Sequence, residues 1–215
     1  MASRCIASLG AYLPLLRLDR AAAASALRWS GLGGPKKGYR AVVGWDEDAV
    51  TLAVEAARVA VGARDDIQDL VFASTSAPFF ERAHAPLVIH ALGLTESTRS
   101  TDVSGSRRAA TSALLSALEG RRDTLIVAGE ARPTQVGSAA QLEWGDGGAA
   151  VVVRDAGPLV YLGGASISQD LVDTYSSREH PTPYPAEERF VRDVAVSQVL
   201  VPTRRAALAA AGVAA

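Results

Sequence analysis

Apolar positions along this chain alternate between two spacings, and the switches between them outline a succession of strands and helices. Residues 4–13 alternate toward Pro14 as an opening strand, and 18–28 follow as a helix with Asp19 in the N-cap position. The acids Asp46, Glu47 and Asp48 precede 49–61, where apolar residues recur at helical spacing, so the acids complement a positive helix N-terminus. Downstream, 69–73 reads as a short strand, 84–92 as a helix, 99–103 as a strand, 106–118 as a helix and 124–128 as a buried strand. This β-α-β-α-β alternation predicts a largely parallel sheet covered by helices. Residues 151–154 and 159–168 read as two antiparallel strands joined by the Asp155-Ala-Gly-Pro158 turn, a hairpin at the sheet edge.

The 106–118 helix is small or apolar on nearly every side after its first turn, which predicts burial all round and cover on both faces. Two segments break the pattern. Residues 31–38 are glycine-rich and polar, a flexible loop that either connects elements or closes over a substrate. Residues 175–185 carry Pro181, Pro183 and Pro185, which predicts a loop without regular structure. Beyond it, 187–194 has the makings of a short helix, and Pro202 near N1 opens a terminal helix over 202–211.

Composition narrows the function classes. With 48% hydrophobic and 21% charged residues over 215 positions, the chain can bury a core of ordinary size. A net charge of -1 without a basic block gives no footprint for nucleic acid or an anionic membrane. No apolar run approaches the roughly 20 residues of a membrane helix, and no secretory signal pattern is present, which predicts a soluble, cytoplasmic protein. A single cysteine, Cys5, precludes an intramolecular disulfide or a cysteine-built zinc site; it reads as a small core hydrophobe, and no metal is expected.

Three stretches carry candidate chemistry. In Trp144-Gly-Asp-Gly-Gly148, Gly145, Gly147 and Gly148 can take positive φ or admit another backbone closely, and the turn leads into the continuous apolar run 149–153 of a strand covered on both faces. Ser104-Gly-Ser-Arg-Arg108 starts a small-residue helix, and Phe72-Ala-Ser-Thr-Ser76 ends a strand. Together these resemble the thiolase-like superfamily of acyl-CoA condensing enzymes. With the acidic helix start at 46–48, the likeness is to the 3-hydroxy-3-methylglutaryl-CoA synthases, with ketoacyl synthase III more distant.

The resemblance spans about Ile6 to Ala211 and implies an α/β, thiolase-like half: a mixed, mostly parallel five-stranded sheet with helices on both faces. Residues 1–170 would form that half, 171–201 a proline-containing loop and short helix, and 202–215 the start of a helix leading to a second half. In the family two such halves pack helix against helix, so a second half would cover the 106–118 helix. The family's catalytic histidine and its partner belong to that second half, and His84, His90 and His180 do not match them.

At the position of the family's nucleophilic cysteine this chain has Arg107. A guanidinium can neither accept an acyl group nor act as a base at neutral pH. Ser106 is the nearest oxygen nucleophile, but one residue is about 100° around a helix, so its hydroxyl serves either as acyl carrier or as helix cap. The family's glutamate aligns with Thr75, which can hydrogen-bond a substrate but cannot move a proton as a carboxylate does. Glu81, close by, could be shifted into that role. Arg107 and Arg108 oppose the helix dipole, and an anion such as a substrate carboxylate or a CoA phosphate would relieve this; a salt bridge to a protein carboxylate would do the same.

The resemblance therefore implies carbon–carbon bond formation or cleavage on an acyl-CoA, an acyltransferase-type role without the usual cysteine and glutamate. A coenzyme A thioester would be the substrate and no cofactor would be bound; Thr75, Ser106 and Arg107 would be the catalytic positions, and Arg107, Arg108, Gly145, Gly147 and Gly148 the substrate-binding ones. The alternative is a non-catalytic thiolase-fold subunit, or an acyl-CoA-binding partner of an active homologue or an OB-fold protein, since cysteine-less relatives are thought to work as retro-aldolases or beside such partners. Dimers of the family join at the strand matching Thr101-Asp-Val-Ser104, which implies a homodimer or a heteromer with a thiolase-like half.

Overall fold

The structure is a computed structural model that describes residues 4–31, 34, 36–62, 66–171, 174–185 and 187–214. The chain divides into two compact units, Met1–Val160 and Tyr161–Ala215.

In the first unit, β1 (Cys5–Tyr12), β4 (Asp69–Ala73), β5 (Arg99–Val103), β6 (Thr124–Glu130), β7 (Gly147–Arg154) and the two-residue β8 (Leu159–Val160) form one mixed sheet in the order β5-β4-β6-β7-β1-β8. The β5-β4-β6 ladder is parallel, and β7, β1 and β8 are added antiparallel. The five longer strands are the sheet the sequence predicts, and β8 is a sixth. The expected hairpin between 151–154 and 159–168 does not form. The free edge of β7 is taken by β1 from Cys5↔Arg154 to Tyr12↔Gly148, so β8 pairs beyond it, on β1.

A second ladder, β2 (Leu16–Asp19) with β3 (Tyr39–Val42), is absent from the sequence reading. It takes residues 18 and 19 into a strand, so α1 (Arg20–Ala26) starts later than expected. Asp19 still caps α1, its Oδ1 accepting from Ala21 N at 2.8 Å and Ala22 N at 3.0 Å. Of the 31–38 loop, residues 32, 33 and 35 lie outside the described residues.

Strand alternation puts Leu70, Phe72, Leu125, Val127, Ala150 and Val152 on one sheet face, where α2 (Ala49–Val61) and α3 (Ala85–Leu92) cover them. Asp48 and Thr51 close a capping box at the start of α2, with Asp48 Oδ1 accepting from Val50 N and Thr51 N while Asp48 N donates to Thr51 Oγ1. The helix can lie this close because Gly129 and Gly148, paired in the β6–β7 ladder, face it: a Cβ would stand 1.8 Å from Ala49 O at Gly129 and 2.1 Å from Leu52 O at Gly148. Neither Gly145, Gly147 nor Gly148 has positive φ, so close backbone approach is what Gly148 provides.

On the opposite face lies α4 (Ala109–Glu119), with Ala109, Ala113, Ala117 and Leu118 buried and Thr111, Ser112, Ser116 and Glu119 exposed. Burial all round is thus not achieved within this chain; one stripe is covered. The helix begins at Ala109 rather than 106, because Gly105 at φ +81° turns the chain and Ser106–Arg108 form a turn in which Ser106 Oγ accepts from Arg108 N at 3.2 Å. Cys5 is buried in β1, its Sγ 3.8 Å from Asp155 O.

In the second unit, β9 (Thr174–Tyr175) and β10 (Tyr184–Pro185) pair antiparallel, where the sequence predicts an irregular loop. The ladder is short enough for a terminal proline, whose missing N–H costs nothing at an edge, and the Tyr175 and Tyr184 rings meet at 5.7 Å. Then α5 (Glu188–Val194), a π-helical turn over Ala195–Leu200 and α6 (Val201–Ala210) form one unbroken helical run rather than two pieces. Pro202 lacks a donor and crowds the carbonyl four residues back, and widening the preceding turn to π geometry accommodates both. Among the described residues no helix is long and apolar enough to cross a membrane.

Candidate functional site

The parallel strands β4 and β6 end at one edge of the sheet, and the antiparallel β7 begins there, with Glu130 opposite Gly147. Carboxyl ends of parallel strands are the usual place for a site in α/β folds. The chain leaving β4 is laced onto the end of β6: Ser74 Oγ donates to Gly129 O at 2.7 Å, and Ala131 N donates to Ser76 Oγ at 2.9 Å. Between these, Glu130 accepts three hydrogen bonds, from Thr75 N at 2.7 Å, Thr75 Oγ1 at 2.9 Å and Ser76 Oγ at 2.8 Å. The carboxylate is therefore held in one orientation by the strand end that the resemblance singles out.

Glu130 opens onto a cavity of about 190 Å³ lined also by Arg107, Arg132, Trp144, Gly145 and Asp146. Arg132 lies over the Trp144 ring at 4.5 Å. Burial lowers its guanidinium from the ordinary arginine value; Glu130 opposes that shift and Arg107 adds to it.

Asp146 is 8% exposed and is tied to β3, with Oδ2 accepting from Val43 N at 3.0 Å and its own N–H donating to Ala41 O at 3.1 Å. Burial raises its carboxyl above the usual carboxylate range, the Val43 N–H and Arg40 pull it back, and Glu47 adds to the rise. The folded state thus holds this proton more tightly than the unfolded chain, so the group's contribution to stability is full below the ordinary carboxylate value and is lost as pH rises through the raised value. Asp146→Asn, which keeps an acceptor for Val43, should gain stability relative to the parent from about pH 4 upward and then level off. Urea unfolding between pH 4 and pH 8 reads this, and an offset constant over the whole range would refute it.

Of the residues singled out in the sequence, the structure brings Arg107 and Gly145 to the wall of this cavity, and Thr75 onto Glu130, which lines it. Ser106 spends its hydroxyl as acceptor for Arg108 N, and Arg108 is exposed, its carbonyl accepting from Thr111 Oγ1 at 3.0 Å. Gly147 faces Leu13, and Gly148 faces α2. Glu81 is exposed on the wall of another cavity, of about 350 Å³, beside Phe79, His84 and Asp102. His84 is buried between the rings of Phe72 and Phe79. Its Nε2 accepts from Phe79 N at 3.2 Å, so Nδ1, 2.8 Å from Asp102 Oδ2, is the donor to that carboxylate. His90 and His180 are exposed. Glu130 is the residue that sequence reasoning misses; its signal is an acid placed directly after a buried apolar strand and Gly129.

No family model matches the chain. A curated hydroxymethylglutaryl-CoA synthase of Aeropyrum pernix is 30% identical over 158 residues, 67% of this chain and 43% of the relative. Another, of Pyrococcus horikoshii, is 31% identical over 117 residues, 53% of this chain and 33% of the relative. The chain thus spans less than half the length of the curated relatives it matches. Among solved structures, 3-oxoacyl-(acyl carrier protein) synthase III of Pseudomonas aeruginosa PAO1 superposes with a TM-score of 0.78 at 23% identity, over 98% of this chain and 72% of that one. A hydroxymethylglutaryl-CoA synthase complexed with CoA gives 0.79 at 19% identity, over 96% and 56%. A Xanthomonas campestris OleA with bound lauric acid and lauroyl-CoA gives 0.76 at 20% identity, over 99% and 74%. At these identities the structural likeness speaks to the fold.

Proposed function

We propose, for a chain that belongs to the thiolase-like superfamily beside its hydroxymethylglutaryl-CoA synthases, that it forms or cleaves a carbon–carbon bond of an acyl-CoA without an acyl-cysteine intermediate. One observation carries the reading: Glu130, fixed by Thr75 and Ser76, shares a cavity with Arg107, the residue standing where the resemblance puts the nucleophile.

In the cleaving direction a carboxylate takes the proton of a β-hydroxyl and the carbon–carbon bond breaks to a carbonyl. Its electron pair then moves into the acyl-CoA enolate, whose oxygen a guanidinium stabilises until the α-carbon takes a proton. Glu130 suits the first role and Arg107 the second, with Thr75 as positioning residue. The CoA found in related structures supports a CoA thioester as substrate. A second thiolase-like half, in a homodimer or heteromer, would cover the exposed side of α4; the cytoplasm is the expected compartment.

Arg107 in the nucleophile's place also favours a second reading, a non-catalytic subunit that binds acyl-CoA for an active homologue or an OB-fold protein. The test incubates the full chain, with and without thiolase-like products of neighbouring genes, with β-hydroxyacyl-CoA esters and follows the products by mass spectrometry. Cleavage that survives thiol alkylation is expected. An acyl adduct on the chain would sink the proposal, and binding without turnover would move it to the second reading.

A further inference from the structure

His84 is a buried histidine that the proposed chemistry does not use. It stands directly after residues 77–83, a stretch that is neither helix nor strand and is exposed from Pro78 to Ala83. Its ring lies between Phe72 of β4, 5.2 Å away, and Phe79 of the stretch, 5.6 Å away. Asp102 of β5 fixes the imidazole: Oδ2 accepts from His84 N at 2.7 Å and from Nδ1 at 2.8 Å, while Oδ1 accepts from Ala85 N at 2.8 Å. With the Nδ1 proton committed to that carboxylate, Nε2 is left as an acceptor, and the Phe79 N–H donates to it at 3.2 Å. A neutral ring does both, and an imidazolium does not. Once Nε2 takes a proton, the Phe79 N–H meets a donor and its hydrogen bond is lost. Asp102 contacts the ring whether or not the stretch is in place, so the Phe79 bond is what differs between the two states. The other charged side chains on this cavity of about 350 Å³ are Glu81 and Arg82, both exposed and both in the stretch itself, with Arg82 over the Phe79 ring at 5.1 Å. Their effects on an imidazolium have opposite signs and are screened by solvent. From β4 the cavity receives Phe72, and from β5 Ser100 and Val103 beside Asp102.

We propose that His84 is a pH-sensitive latch: the neutral imidazole holds residues 77–83 in place, and protonation of Nε2 releases them. The stretch runs between two fixed points, Ser74, whose N–H donates to Val103 O at 3.2 Å, and the first turn of α3, where Val88 N donates to His84 O at 3.2 Å. Release therefore opens the cavity over Phe72 and leaves the sheet and α3 intact. The inference goes beyond the proposed reaction and does not depend on it.

The experiment is residue-resolved amide exchange on the full chain between about pH 8 and about pH 5, either side of an unperturbed imidazole's value, with imidazole nitrogen NMR on the same samples. After correction for the intrinsic pH dependence of exchange, protection of the Phe79 N–H is expected to fall about tenfold or more on acidification, the worth of an unmet hydrogen bond. Ser74 and Val88 should keep their protection. His84 should carry its proton on Nδ1 at the upper pH and gain the second as Phe79 is released, with the exposed His90 and His180 as references. In His84→Gln, whose side-chain oxygen can still accept from Phe79 N, protection should not vary with pH. Should that variant fail to fold, the imidazole signals and amide exchange of the parent chain decide alone. Phe79 protection unchanged while His84 titrates, a proton on Nε2 at the upper pH, or a His84 that stays neutral throughout overturns the latch. So does a parallel loss at Ser74, which would mark a general loosening in acid.

Discussion

Replacing Gly129 by alanine is expected to cost about 1–3 kcal/mol or more, as over-packing does in tight cores. The new Cβ would lie 1.8 Å from Ala49 O, 2.7 Å from Ala49 C and 3.1 Å from Ala49 Cα, all backbone atoms with no rotamer to escape into. Lifting α2 to make room would open a layer in which Ala49, Leu52, Ala53 and Ala56 are fully buried. Gly148→Ala should behave alike, its Cβ meeting Leu52 O at 2.1 Å and Leu52 C at 2.6 Å. Neither glycine has positive φ, so alanine is compatible with the backbone and would otherwise be stabilising by about 0.4–1 kcal/mol. Gly147→Ala is the control: its nearest neighbour is Leu13 Cδ2 at 3.2 Å, on a side chain exposed enough to move, so the change should fall within about 0.5 kcal/mol. Urea midpoints at constant slope decide the matter. A Gly129→Ala protein as stable as Gly147→Ala would mean that α2 does not need the glycine trough.

Local pattern and long-range pairing were unequally legible. Period-two and helical spacing predict Asp69–Ala73, Arg99–Val103 and Ala49–Val61, and these are observed elements, because each depends on residues next to one another. The thiolase-like fold was legible too, through the strand end at 72–76 and the glycine turn at 144–148. Which strands pair is not a local property. Leu159–Val160 looks like the return arm of a hairpin until β1, some 150 residues earlier in the chain, is found along β7. The β2–β3 ladder is hidden for the same reason, its four-residue strands being separated by a helix and a glycine-rich stretch. Prolines mislead in both directions: Pro185 sits in a two-residue ladder, and Pro202 in a helical run that a π turn adjusts to it.

The site divides along the same line. Thr75, Arg107 and Gly145 were readable from the resemblance, residue by residue. Glu130 was not, because nothing in 124–130 says that a neighbouring strand end will offer it three donors. That partnership exists through the parallel register in which Ala73 faces Ala128, which carries Thr75 and Ser76 to Glu130.

Glu130→Gln is accordingly the substitution expected to remove most activity. If Glu130 takes the proton, turnover of a β-hydroxyacyl-CoA should fall by about 10²–10⁴-fold, the usual worth of a positioned acid or base. Glutamine preserves the shape, its carbonyl oxygen can still accept from Thr75 N, and the hydroxyls of Thr75 and Ser76 can turn to accept from its amide, so the fold should persist. The loss should then lie in kcat with KM little changed, since the carboxylate serves the transferring proton rather than substrate binding. Thr75→Val removes one of the three hydrogen bonds and should lower kcat far less, because Thr75 N and Ser76 Oγ still hold the carboxylate. Steady-state kinetics with thermal midpoints separate the roles. A Glu130→Gln protein within about threefold of the parent in kcat, well below the range for a positioned base, would remove Glu130 from the chemistry and leave it as the clasp that joins the ends of β4 and β6.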